Sequence, residues 1–342
     1  MKKGITKILS ACVFAFVVFL AAGTQSKAAV NMGVKQTGAG SSYVDLAWDA
    51  QLGAGHYHTQ FSQDGKNWID MDNSSSPSES VYNLTQGASY YARVVAYKGS
   101  HYTGTHVMIG VSETAIVSTK PTEVSGLTQT AAGVNSVSMS WNASAGAASY
   151  VIYGYINYNW TQIGTSATNS ATITGVAATT STRFSVAAVK NVTGGTVTGD
   201  QCSGVEMKAI PIKVSRIAMQ YYWDSLKEAK YIWTDVNNAD GYQYEVKSAN
   251  GKKTYFRATS TNSYTYVKPF PRGIFVKARV RAYVTVGNKV YYGAWSPYTY
   301  HASSKKVTAK RSSNGKKIYL KWKKVSGASG YQVYVSTKSN GG

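Results

Sequence analysis

His56-Tyr57-His58 is the one place in this sequence where two histidines stand two apart, a metal-like spacing. Strand alternation would turn Tyr57 to one face and both imidazoles to the other, close enough to share an ion. Zinc sites draw three or four ligands from the protein, and His101, His106 and His301 stand at no motif spacing. The expectation is therefore no metal and no cofactor. Acid–base chemistry is equally poorly provided for. Glycoside hydrolysis needs two carboxylates a set distance apart, yet 342 residues contain only 15 Asp and Glu, mostly in turns (Asp64, Asp240) or beside strands (Asp45, Asp49). The stretch SGASG (326–330) lacks the spacing of a nucleophile elbow, and no phosphate loop or dinucleotide fingerprint occurs. These residues predict no enzyme.

Cations and aromatic rings are plentiful instead. The formal charge is +21. Residues 29–211 hold 8 basic and 10 acidic side chains, whereas 212–342 hold 24 basic and 5 acidic. In IFVKARVRAY (274–283), alternation turns Val276, Ala278 and Val280 inward and lines the outer face with Lys277, Arg279 and Arg281, spaced by about 6–7 Å. In KKIYLKWKK (316–324), Ile318, Leu320 and Trp322 should face in, and Lys317, Lys321 and Lys323 out. Lys305, Lys306, Lys310 and Arg311 add to the same half. Such a face either attracts an anionic polymer or serves as a solvated surface that discourages sheet aggregation. The 27 tyrosines and 8 tryptophans pose a similar choice. YVIYGYINYNW (150–160) puts Tyr153 and Tyr155 outward opposite Tyr150, with Tyr158 and Trp160 expected in the following turn. That platform would either stack on sugar rings or stabilise the sheet through cross-strand pairs. YYW (221–223) and YYGAWSPYTY (291–300) carry the same two readings. There is no Arg-Gly-Asp tripeptide.

The elements that must position these residues announce themselves through tryptophan. Trp48, Trp141, Trp233 and Trp322 are 93, 92 and 89 residues apart, and each has a tyrosine nine positions later: Tyr57, Tyr150, Tyr242 and Tyr331. A fixed period of this kind signals an array. Around each tryptophan the apolar residues alternate, as in Val44-Leu46-Trp48 and Val137-Met139-Trp141, which predicts half-buried strands. QDGK (63–66) and ANGK (249–252) supply hairpin turns. DSLKEAKY (224–231) could pass for a helix, but its place just before the Trp233 strand predicts loop and strand. The Trp and Tyr pairs, together with Leu84 six residues before Tyr90 and Val94 beyond it, resemble the fibronectin type III family. Thr182 and Val276 stand where that family places a corner tyrosine, so the corner bond is expected to be weakened in the second and third repeats. Pro121 and Pro211 sit where a new repeat of the family opens.

The resemblance implies an all-β chain of tandem fibronectin type III-like, immunoglobulin-like β-sandwiches. The expected layout is a signal peptide over 1–28, repeats over 29–120, 121–211 and 212–303, and a truncated fourth repeat of three strands over 304–342. The basic head MKKGITK, an apolar run and small residues at Ser26 and Ala28 match a secretory leader cleaved before Ala29. Leu9-Ser10-Ala11-Cys12 resembles a lipidation box but precedes most of the apolar run, which argues against lipidation. Only Cys202 lies beyond the leader, excluding an internal disulfide, and it is expected to be a small buried hydrophobe. For an exported chain, the anionic partner would be wall teichoic acid, another anionic polysaccharide or a membrane surface. Nucleic acid would bind by counterion release but is not met there. The expected role is a secreted or cell-surface spacer, display or adhesion module, with protein partners also compatible. The alternative is the spacer region of a secreted polysaccharide-degrading or wall-remodelling enzyme whose catalytic domain lies beyond residue 342.

Overall fold

A computed structural model describes residues 29–99, 106–223, 226–271, 273–302, 307–325 and 328–333. The leader, His101, Lys305 and Lys306 lie outside the described residues. Two compact units are present, one drawn from 45–81 and 90–116 with the chain up to 37, the other from 38–44, 82–89 and the chain from 117 onward. Among the described residues every regular element is a strand.

Eight strands form the first pair of sheets: β1 (Lys35–Ala39), β2 (Val44–Ala47), β3 (His56–Ser62), β4 (Ile69–Ser74), β5 (Ser78–Val81), β6 (Ser89–Lys98), β7 (Val107–Val111) and β8 (Ala115–Ser118). One sheet runs β1-β2-β5 and the other β4-β3-β6-β7, with β8 also on β6. The same order then recurs. The second pair comprises β9 (Thr128–Gly133), β10 (Ser136–Ser140), β11 (Ser149–Ile156), β12 (Asn159–Ser166), β13 (Ser170–Thr174), β14 (Thr182–Val192), β15 (Gly195–Thr198) and β16 (Val205–Met207). The third comprises β17 (Ile217–Trp223), β18 (Glu228–Trp233), β19 (Gly241–Ser248), β20 (Thr254–Ser260), β21 (Tyr264–Val267), β22 (Phe275–Val286), β23 (Lys289–Tyr292) and β24 (Thr299–Ala302). Their sheets run β13-β10-β9 with β12-β11-β14-β15, and β17-β18-β21 with β20-β19-β22-β23. The helix-like stretch after 224 therefore becomes strand from Glu228, as its position predicted.

Alternation explains the layers. Along β22, Val276, Ala278, Val280, Ala282 and Val284 are buried while the residues between them are partly covered on the other face. The first four join Trp233, Tyr242 and Val246 in one apolar core. The repeated tryptophan and tyrosine form its constant part. Ring centres lie 5.4 Å apart in Trp48–Tyr57, 5.3 Å in Trp141–Tyr150, 5.4 Å in Trp233–Tyr242 and 5.5 Å in Trp322–Tyr331. Each tyrosine oxygen also accepts the backbone N–H six residues upstream: Gln51 at 3.0 Å, Ser144 at 3.0 Å, Val236 at 2.8 Å and Val325 at 2.5 Å. The nine-residue spacing thus closes a loop by giving its amide a side-chain acceptor. Tyr150→Phe should therefore destabilise the protein by about 1–2 kcal/mol. Urea denaturation checks this, and an unchanged midpoint would show that the bond contributes nothing.

Cys202 packs in the second sandwich's apolar core, as expected. It is buried, but it does more than fill space: its Sγ accepts the Val186 N–H at 3.3 Å while its own N–H bonds Val186 O at 3.0 Å. Ser112 Oγ does the same for Val94 N at 2.8 Å, and Ser296 Oγ for Val280 N at 3.0 Å. In each sandwich this residue sits where the last strand breaks in two and satisfies an amide that the ladder leaves open.

The chain after residue 307 departs from the expectation. β25 (Thr308–Arg311) and β26 (Ile318–Lys321) pair antiparallel. Ile318 and Leu320, expected to face inward, are 66% and 39% exposed. No second sheet opposes them among the described residues, so the apolar face has nothing to pack against. The expected third strand is not formed over 328–333, although Tyr331 keeps its contact with Trp322.

Candidate functional site

The outer face of the third sandwich's large sheet carries Lys277, Arg279 and Arg281 side by side, as alternation predicts. They are already engaged. Register places Glu245 of β19 directly between Arg257 on β20 and Arg279 on β22. The Glu245 carboxylate is fully buried and accepts from Arg257 Nη2 at 2.6 Å and Arg279 Nε at 2.6 Å, with Lys247 Nζ at 3.0 Å. Burial opposes its charge, but hydrogen bonds from Arg257, Lys247 and Arg279 outweigh burial and hold the carboxyl at about 2.

Aromatic rings intercalate among the same cations. Arg281 lies 3.8 Å from the Tyr292 ring centre and 4.4 Å from Trp295; Arg279 lies 4.3 Å from Trp295 and 4.9 Å from Tyr298; Lys277 lies 4.6 Å from Tyr298. Arg281 also donates to Gln243 Oε1 at 2.6 Å. YYGAWSPYTY therefore supplies the rings that separate like charges along β22. The three cations form an internal ladder that stiffens the sheet, which changes what they offer an anion.

The other face of that sandwich is more open. Lys230 occupies the middle strand of β17-β18-β21, directly across from Tyr221 on one side and Tyr266 on the other. Its Nζ stands 4.9 Å from the Tyr264 ring centre, 5.7 Å from Tyr266 and 5.8 Å from Tyr221. Trp223 lies 4.5 Å from Tyr221 and extends the patch. Trp223, Tyr264 and Tyr266 are 47%, 40% and 47% exposed. Of this group the sequence reading singled out only YYW. Lys230, Tyr264 and Tyr266 lie on two further strands, and a register shift between Met219 and Tyr221 decides which of the YYW rings face outward.

Lys310, Arg311, Lys317, Lys321 and Lys323 are all exposed on or beside β25 and β26. They are less committed than the β22 cations, although Arg311 Nε donates to Gly315 O at 3.2 Å.

The aromatic group of the second sandwich is not a flat platform. Trp160 stands on β12, not in the turn, directly across from Tyr155 with the rings edge-on at 5.3 Å. The turn takes Asn157 and Tyr158 at positive φ, so β12 begins two residues earlier than expected. A Cβ on Gly204 would stand 2.7 Å from Trp160, so that ring lies close over the backbone. Tyr153 is half-buried and Tyr158 projects alone, 90% exposed.

In the first sandwich the histidines meet in a way their spacing did not reveal. His106, which precedes β7, joins His56 and His58 of β3: ring centres are 5.4 Å apart for His56–His58, 5.4 Å for His56–His106 and 6.0 Å for His58–His106.

No family model matches the chain, and no curated protein matches it. Among solved structures, the crystal structure of chicken CNTN1 FN1-FN3 domains matches at 15% identity, covering 80% of this chain and 98% of that one, with a TM-score of 0.33. The all-β, tandem-sandwich assignment rests on the strand order and register, which repeat three times along this chain.

Proposed function

We propose that the chain is a non-catalytic, exported repeat protein of fibronectin type III-like sandwiches that spaces, displays or adheres at a cell surface, and that its basic half contacts an anionic polysaccharide. The leader-like residues 1–28 support export, and the low carboxylate content supports the absence of catalysis. The observation that carries the binding reading is Lys230, set among Tyr221, Tyr264 and Tyr266 on an exposed sheet face. Sugar rings stack on exposed aromatic rings while the ammonium meets a carboxylate or phosphate of the polymer. The exposed cations of β25 and β26 add charge without needing further shape. The β22 ladder serves as support, since its arginines are held by Glu245 and by stacked rings.

The test is binding of the full chain to an immobilised anionic polysaccharide as sodium chloride is raised. Affinity should fall steeply with salt, because exposed charges are screened beyond about 8–10 Å at physiological ionic strength. A neutral polysaccharide should bind weakly at every concentration. Salt-independent affinity would rule out the charge-based reading.

A further inference from the structure

We infer that His56, His58 and His106 form a site for one divalent transition-metal ion of the zinc class. The arrangement starts from strand geometry. His56 and His58 are two residues apart on β3 and share a face. β3 pairs with β6 so that His56 lies across from Tyr97, and β6 pairs with β7 so that Lys98 lies across from Val107. That register brings His106, one residue before β7, over the same face. Tyr97 packs against all three imidazoles, its ring centre 5.2 Å from His56, 4.9 Å from His58 and 4.9 Å from His106.

The ring separations are close to those of a shared ion. Zinc–nitrogen bonds are about 2.0–2.1 Å; adding roughly 1 Å from nitrogen to ring centre puts three imidazole centres about 5–5.5 Å apart around one metal. The observed 5.4 and 5.4 Å fall within that triangle, and the 6.0 Å between His58 and His106 is wider by roughly half an ångström, which the exposed His106 closes by a small shift. In the conformation described, no three ligating side chains already converge on one point among the described residues. The centres need not move far, because rotation of the rings about their own side-chain bonds redirects the nitrogens.

Two further features suit a metal. His56 Nδ1 lies 3.0 Å from Gly99 O. A carbonyl can only accept, so Nδ1 carries the proton and Nε2 the lone pair, the outer-shell arrangement that orients metal-binding imidazoles. His56 is 3% exposed while His106 is exposed, so the cluster runs from the interior to solvent and leaves an entry path. Three imidazoles suit zinc, copper or nickel over calcium or magnesium, which prefer oxygen.

The experiment is calorimetric titration of the full chain with zinc chloride, with magnesium chloride as comparison and thermal unfolding recorded in parallel. The expected result is saturable binding of one zinc per chain, a raised unfolding midpoint reversed by chelator, and no response to magnesium. His106→Ala, at an exposed position, should weaken binding on the order of tenfold or more, and His58→Gln should do the same. His301→Ala, in the third sandwich, should leave the affinity unchanged. Absence of saturable zinc binding, or full affinity in a folded His106→Ala protein, would overturn the assignment.

Discussion

Glu245→Ala should destabilise the third sandwich by about 3–5 kcal/mol, the usual consequence of removing one partner from a buried charge network. The reason lies in what remains. Arg257, Arg279 and Lys247 converge on this carboxylate, and Lys277 stands directly across from Lys247 on the neighbouring strand. Without the anion, several cations face one another on a partly covered sheet with only ring faces to screen them. The pH dependence follows the same logic. Glu245 is held at about 2 in the folded state and would titrate near 4.3 when unfolded. Its contribution is therefore fully present above about pH 4.3 and is lost as pH falls toward about 2. Denaturant unfolding of wild type and Glu245→Gln at neutral and acid pH measures it. The wild type should lose stability on acidification more steeply than the variant, and parallel curves would show that the network does not depend on this charge.

Trp141→Ala should cost a comparable amount, about 3–5 kcal/mol, because a large ring leaves a core that cannot collapse around the space. Trp141 is 3% exposed and packs with Tyr150, Val137, Met139 and Phe184 between two sheets. Trp322→Ala provides the contrast. The same motif surrounds it, with Tyr331 at the same ring distance, but no opposing sheet covers it among the described residues. Its loss should cost about 1 kcal/mol, in the ordinary range for a partly exposed site. Separate denaturation of the two variants checks the difference, and equal losses would mean that the fourth tryptophan is buried as deeply as the second.

The contrast shows what a linear pattern conveys. Trp-x8-Tyr was readable because the two rings meet across one short loop and the hydroxyl reaches back over it. The inward face of β22 was readable for the same local reason. Whether a strand finds an opposing layer is a non-local matter, and Ile318 and Leu320 alternate correctly while remaining exposed.

Functional surfaces were legible only in part. Arg279 and Arg281 point outward as alternation requires, but nothing in their own strand indicates Glu245 on β19 or Trp295 beyond β23. Lys230 meets Tyr264 and Tyr266 because β18 and β21 pair across thirty intervening residues. His106 reaches His56 through two successive strand pairings, a relation with no fixed sequence spacing. Cys202 was read as an apolar filler because one occurrence cannot display a pattern. Its role emerges only when Ser112 and Ser296 are seen at the equivalent strand break.

The most direct test of the central claim compares the full chain with two variants for binding to one anionic polysaccharide at low and high salt. The first variant is Lys230→Glu; the second carries Glu at Lys310, Arg311, Lys317, Lys321 and Lys323. Both should weaken binding strongly at low salt and flatten its salt dependence, since each removed phosphate or carboxylate contact lowers that slope. Wild-type affinity and an unchanged salt slope in both folded variants would contradict the account and leave the basic half as a solvated surface.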